Sequence, residues 1–396
     1  MSSDKKPKTV VICGGGIIGC AVAYYLTSLE PELFKCVIVE CEEIACHSSG
    51  KAGGFLSLDW NDHSSAIGPL ARLSFDLHKE LSQILKDETG IDVGYRTLNT
   101  FSISANNNNS NNSNSKKSSA IKSSWIDGNV TSKEKIGNTQ TTAQVNPYLL
   151  TKALFQSAVQ KGATLVIDKV IDVECDEKID ENNTTASESY VVKKVILENK
   201  PALNADIVVI AMGAWSGMAK NFFPNCTSFP NIRGNRAHSI VIDSVEVPPE
   251  AMFVQYRNNK KTGEEALKEP EIYPRPPDSI HEGYTVYICG EGDDEPLPDN
   301  PALVVPKLEA CNNLYEMACD LSSTLKNGKV LKQSACFLPC SDSGKPIIGK
   351  IPKYEGAYIA TGHGCWGILN GPATGKCLAQ YILNKKVDID LKGLVC

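Results

Sequence analysis

The sequence carries Gly14, Gly16 and Gly19 in the spacing G-x-G-x-x-G. Gly14 permits a tight turn, Gly16 lets a pyrophosphate approach the backbone, and Gly19 lets a helix pack on a strand. Ile17 and Ile18 follow inside this turn, where a helix start offers unpaired N–H groups and a positive dipole end to phosphates. Twenty-one residues past Gly19, Glu40 stands where a carboxylate accepts hydrogen bonds from an adenosine ribose, with Cys41 beside it. Together these residues point to a dinucleotide. A small-residue stretch comes next, Cys46–Gly54 (CHSSGKAGG). Its Ser48, Ser49, Gly53 and Gly54 can approach a second phosphate or a flavin ring, or can form no more than a surface turn. A second glycine turn, Gly362-His363-Gly364, with Gly367 and Ile368 behind it, precedes a helix expected to open at Pro372. Reduced flavin is negative near N1 and the C2 carbonyl, so a helix start there would stabilise it. That favours FAD over NAD. His363 reads as a flavin contact more readily than as a general base. His47 lies in the small-residue loop, and His63, His78, His238 and His281 show no ligand spacing, so no metal site is expected.

The elements that must position these residues are legible in part. Val10–Cys13 reads as a buried strand, Ile17–Leu29 as a helix and Cys36–Glu40 as a second strand, a βαβ unit. Residues Ile67–Lys86 read as an amphipathic helix. Pro147–Lys161 reads as another, with Asn146 as N-cap and Gly162 closing it. Strands are expected near Thr164–Asp168, Tyr190–Leu197, Ala205–Met212 and Ala357–Ala360, and Pro372–Leu383 as the last helix. Asn106–Ser119 is a low-complexity Asn/Ser tract expected to be disordered, and Asp180–Glu188 a polar loop.

Composition sets the outer limits. With 396 residues the chain suits two domains, and 42% hydrophobic against 22% charged residues excludes a disordered or fibrous protein. A net charge of −6 provides no general basic field for nucleic acid or anionic membrane. The fifteen cysteines form no Cys-x-x-Cys pair, and the start MSSDKKPKT lacks the apolar core of a signal peptide. Free thiols in a reducing compartment are expected. Val10–Leu29 has the length of a membrane span, but its glycines divide it into strand, turn and helix. The tail Gly393–Cys396 is neither a peroxisomal signal nor a prenylation box. A cytoplasmic location is expected.

The segments VVICGGGIIGCAVAYYL (10–26), CHSSGKAGG, VNPYLLTKAL (145–154), ADIVVIAMGAWS (205–216) and PIIGKIP…GAYIATGHGCWGILNGPATGK (346–376) together resemble the flavin-dependent oxidases of the D-amino-acid oxidase, glycine oxidase and sarcosine oxidase superfamily. IYPRP (272–276), VYICGEGD (286–293) and ACFLP (335–339) are similar to a eukaryotic branch of oxidoreductases whose substrate is poorly defined. This resemblance implies peripheral attachment to endosomal membranes as the alternative to a cytoplasmic location. The resemblance implies an α/β fold: a doubly wound, Rossmann-like FAD-binding domain and a second, sheet-rich substrate domain. It places 1–80, 144–228 and 331–396 in the first, and 81–143 with 229–330 in the second. It also implies cofactor contacts from Val170, Gly213, Trp215 and Gly362.

Departures from the pattern bear on the substrate. Amino-acid-oxidising relatives often hold the substrate carboxylate with the Arg of an Arg-Pro pair, which here is Leu338-Pro339. Sarcosine-oxidase-like relatives place a basic residue just after the glycine-histidine turn, where this chain has Trp366. Arg275 could replace the missing cation, ahead of Arg233 and Arg236, or could bridge loops. Cys336 stands in register with a cysteine that in the sarcosine oxidase branch can attach to flavin; it is either that or a buried, unmodified thiol. The expected reaction is FAD-dependent oxidation of a C–N bond in a small amine, imino acid or amino acid, with electrons passing on to oxygen. Two alternatives are a dehydrogenase that reduces an electron carrier and an FAD-binding interaction or trafficking module.

Overall fold

The computed structural model describes residues 6–106, 125–178, 189–259 and 265–396. Most of the expected Asn/Ser insertion and of the polar loop at 180–188 lies outside them. At the centre is a six-stranded sheet, in the order Ile347–Lys350, Ala357–Thr361, Ile207–Ile210, Lys8–Cys13, Phe34–Glu40, Thr164–Ile167. All its pairings are parallel except that of Ile347–Lys350 with Ala357–Thr361. Alternate residues of the first two strands enter different cores. Val10, Ile12, Cys36 and Ile38 face the helices Ile17–Leu29, Ile67–Thr89, Pro147–Gln160 and Gly367–Ile382. Val11, Cys13, Val37 and Val39 face an antiparallel layer built on Val170–Lys178 and Ser189–Leu197. Burial on both faces explains why these strands read as unbroken apolar runs.

Gly19 is where helix and strand close on each other: a Cβ there would lie 2.0 Å from the Gly14 carbonyl oxygen. The helix Ile17–Leu29 begins and ends where its spacing predicts. Asn146 caps Pro147–Gln160 by accepting the Leu149 N–H at 3.3 Å.

Over the carboxyl ends of the central strands lies an eight-stranded sheet, in the order Val330–Ser341, Ile232–Ser244, Tyr284–Asp293, Glu271–Arg275, Glu250–Asn259, Asn99–Asn106, Val130–Gly137, with Glu265–Lys268 beside Glu250–Asn259. Its outer face buries Ile240, Ile272 and Ile288 under the helix Leu308–Leu321. The expected domain boundaries need moving at two places. Residue 80 falls inside the helix Ile67–Thr89, which packs as a whole on the final helix. Residues 331–341, expected in the first domain, are the edge strand of the eight-stranded sheet.

Two local expectations are corrected. The stretch 46–54 contains one helical turn, Ser48–Lys51, whose start is tied down because Ser48 Oγ donates to the Phe337 carbonyl at 2.8 Å. The last helix opens at Gly367 and encloses Pro372 instead of starting there. Proline has no N–H for the Ile368 carbonyl one turn back. His78 Nε2 serves that carbonyl at 3.0 Å and the Leu369 carbonyl at 3.1 Å, while the Ala373 N–H donates to Ser74 Oγ at 3.0 Å. Side chains of a distant helix thus repair the break.

Candidate active site

The central sheet changes winding direction at Lys8–Cys13, which has Phe34–Glu40 on one side and Ile207–Ile210 on the other. Ligands of such sheets bind outside the strand ends at that point. An elongated cleft opens there, with about 1330 Å³ of empty space including its mouth. The first turn contributes Gly14, Gly16, Ile17 and Ile18 to its lining, and the second strand ends in it with Glu40 and Cys41. Gly14 has φ +114°, and a Cβ on it would lie 2.3 Å from the Ala211 carbonyl oxygen. Only glycine makes this turn. Glu40, buried, accepts the Gly15 N–H at 2.7 Å through Oε2, and the Glu42 N–H and Cys41 thiol at 3.2 and 3.0 Å through Oε1. The Cys46 thiol also approaches Oε1, at 3.9 Å, so acceptor capacity for ribose hydroxyls remains on Oε2, which among the described residues takes only the Gly15 N–H.

Ser48 and Ser49 line the middle of the cleft, and Ser49 Oγ accepts the Ile17 N–H at 2.9 Å. Val170, Gly213 and Trp215 line the wall opposite. Trp215 is held because its Nε1 donates to the Pro298 carbonyl at 2.7 Å. The far end is formed by His363, Gly364, Gly367 and Ile368. Thr361 Oγ1 donates to the Gly213 carbonyl at 3.0 Å and ties the far end of the cleft to that wall.

The remaining expected residues sit behind the lining. Gly19 and Gly362 shape the turns. Gly54, with φ +86°, is required because a Cβ would lie 2.0 Å from the Val145 carbonyl oxygen. Gly53 makes room for an aromatic ring, since a Cβ would lie 2.5 Å from Tyr273 Cε2. Arg275 does not line the cleft. Its Nη2 donates to the Ala52 and Gly53 carbonyls at 2.8 and 3.0 Å, and its guanidinium lies over Tyr287, 4.7 Å from the ring centroid. Loop bridging, the competing reading of Arg275, is what the hydrogen bonds do. Arg233 is an exposed partner of Asp342, and Arg236 is engaged with Asp293, Glu295 and the Val305 carbonyl. Trp366 turns away from the cleft toward Trp60, with centroids 6.3 Å apart. Cys336 is buried and does not line the cleft, while Leu338, on the same face of the strand, does. Burial pushes its thiol up, against the opposing pull of the nearby Lys51 charge.

Several lining residues carried no readable signal. Asp299 and Pro301 arrive from a proline-rich connection beyond the eight-stranded sheet, and Cys365 occupies the position before Trp366. Only the Asn300 turn, whose side chain accepts the Ala302 N–H at 2.9 Å, hints at order there.

The residues present fit FAD. Two histidines that line the cleft have buried ring nitrogens with no hydrogen-bond partner among the described residues: Nδ1 of His363 and both nitrogens of His47. A Cβ on Gly213 or Gly364 would meet nothing within 4 Å, so both glycines leave room for a ligand. Gly14, Gly16 and Glu40 would hold the adenosine and pyrophosphate half, and the segment from Gly362 to Ile368 the flavin half. Burial lowers His363 to about 3 and, with Lys51 adding its charge, His47 to about 4. Both are neutral near pH 7. His363 Nε2 is shared with Thr374 Oγ1 at 3.0 Å. Glu42, Cys46 and His47 place one ligand atom each within 4.8 Å of one another. They flank the cleft and are only partly buried, and the ribose and phosphate half of the cofactor is the ligand the surroundings suit.

The model of the DAO family, FAD dependent oxidoreductase, matches residues 9–381. A Schizosaccharomyces pombe protein described as an oxidoreductase is 33% identical over 97% of both chains. Bacillus subtilis glycine oxidase is 25% identical, covering 98% of this chain and 96% of its own. Among solved structures, Bacillus cereus glycine oxidase superposes with a TM-score of 0.72 at 22% identity over 98% of each chain. A match of this extent, on a cleft whose glycines and carboxylate suit the cofactor, settles the family: the chain is an FAD-dependent oxidoreductase of the DAO family.

Proposed function

We propose that the enzyme oxidises a C–N bond of a small amine, imino acid or amino acid and passes the electrons through FAD to oxygen. Bound FAD supplies the two-electron acceptor. What carries the reading is His363 at the flavin end of the cleft. It is buried and neutral, and its Nε2 is hydrogen-bonded to Thr374. A group lowered to about 3 is a poor proton acceptor near pH 7, so the residues suit direct hydride loss from a neutral amine better than proton abstraction by a base. The relatives agree in class: the similar glycine oxidases act, by name, on an amino acid.

In air, turnover should release hydrogen peroxide in step with amine consumed. Flavin reduction by substrate with no peroxide, and turnover only with an added electron carrier, would show the dehydrogenase instead. Cys336 stays a free thiol in this reading, because burial disfavours the thiolate that attachment requires. Acid precipitation should leave the yellow colour in the supernatant; colour in the pellet that Cys336→Ala releases would overturn that.

No helix among the described residues is long and apolar enough to cross a membrane. We place the enzyme in the cytoplasm, and imaging of the chain with both termini free checks it: a wholly peroxisomal signal contradicts the placement.

A further inference from the structure

The inner face of the eight-stranded sheet carries one polar group that nothing above uses. Side chains alternate along a strand, so Glu271, Tyr273 and Arg275 share a face. Strand register brings Cys289 beside Glu271, Tyr287 beside Tyr273, and Phe253 beside Glu271 from the other side. This face looks toward the flavin loop: Tyr287 Oη donates to the Lys51 carbonyl at 2.9 Å, and Tyr273 stacks on Phe55 with centroids 5.6 Å apart. Phe55, Trp60, Phe253 and Tyr273 form a continuous aromatic group, which Trp366 extends back to the glycine turn.

Glu271 closes one end of that group. Its Oε2 accepts from Tyr273 Oη and, at 3.7 Å, from the Cys289 thiol. Among the described residues none hydrogen-bonds Oε1, and no cation pairs with the carboxylate. The side chain lies deep, where desolvation raises its pKa, yet it keeps accessible surface. So do Phe253, Cys289, Cys365 and Trp366 around it. The Glu271 charge also reaches the Cys365 thiol, which lines the cofactor cleft. The arrangement therefore sets one carboxylate among aromatic rings beside the flavin end of the cleft, and among the described residues no cation is paired with it: Arg275 is committed to loop carbonyls. A substrate carboxylate would be repelled here. A cation would be held by the carboxylate and by ring faces.

We propose that Glu271 and the aromatic group select an amine that lacks a carboxylate and carries an apolar or aromatic body. This rests on the oxidase reading for the reaction, but its test is binding and does not need turnover. The purified holoenzyme is titrated with 2-phenylethylamine and, separately, with phenylalanine, which differs by the carboxylate, while the flavin absorption band is followed. The amine should perturb the band at concentrations where phenylalanine does not. Glu271→Gln, nearly isosteric, should keep the yellow colour and melting temperature and weaken the amine by roughly 10- to 100-fold, the loss of one charged hydrogen bond. Equal binding of phenylalanine, binding of neither compound, or an unchanged amine affinity in Glu271→Gln would overturn the proposal. Should the variant lose its fold, the comparison of the two compounds on the unmodified enzyme still decides. Binding of the amine without flavin reduction would sustain this inference and count against the oxidase reading alone.

Discussion

Gly19 and Gly213 test opposite uses of the same residue type. At Gly19 an added Cβ meets the Gly14 carbonyl oxygen at 2.0 Å, which neither backbone can relieve without opening the turn. Gly19→Ala should fail to retain FAD and lose several kcal/mol of stability, on the scale of an overpacked core at about 1–3 kcal/mol or more. At Gly213 a Cβ has open protein space but would enter the room left for the cofactor. Gly213→Ala should therefore cost only about 1–2 kcal/mol for its left-handed φ, yet weaken FAD retention clearly. Thermal melts with and without added FAD separate the two cases. The histidines give a pH dependence. His78 and His363 are lowered by burial to about 4 and about 3, so the unfolded chain binds protons that the folded chain refuses. Their contribution is whole above the ordinary pKa of 6.5 and fades as pH falls toward 4, by on the order of 3 kcal/mol each. The melting temperature should drop steeply between pH 6.5 and 4; a flat profile over that range would mean that neither is held neutral.

At the scale of elements, the final helix makes the sharpest prediction. His78 matters because Pro372 frees the Ile368 carbonyl. Removing the imidazole in His78→Leu should cost about 1–3 kcal/mol for the buried carbonyls left unpaired. Pro372→Ala restores a helical N–H, so the same His78 change should cost less in that background. Equal costs in both backgrounds, read from denaturant unfolding, would show the two residues uncoupled. This helix also marks where the sequence stops being informative. Ile17–Leu29 and the Asn146 cap were legible because apolar spacing and a local side-chain cap decide them. Pro372 reads locally as a helix start, and nothing within a few residues announces that Ser74 and His78 replace its missing bond. The turn Ser48–Lys51 is hidden for the same reason, since a bond to the Phe337 carbonyl holds it.

For the whole molecule, the cleft follows from the winding change at Lys8–Cys13, and the glycines and Glu40 that line it were legible because a glycine turn between strand and helix is local in sequence. The substrate side was not. Arg275 looked like a replacement cation from its residue type alone; only the fold shows its Nη2 on the Ala52 and Gly53 carbonyls. Glu271, Phe253 and Cys365 come together from separate strands and a turn, a convergence that strand register creates and no spacing displays.

The most direct test of C–N oxidation through FAD is anaerobic photometry of the yellow holoenzyme against a panel of amines and their matched amino acids. Addition of a substrate amine should bleach the flavin band without any other reductant, and admission of air should restore it with release of hydrogen peroxide. A band unchanged by every amine, imino acid and amino acid in the panel would contradict the assignment.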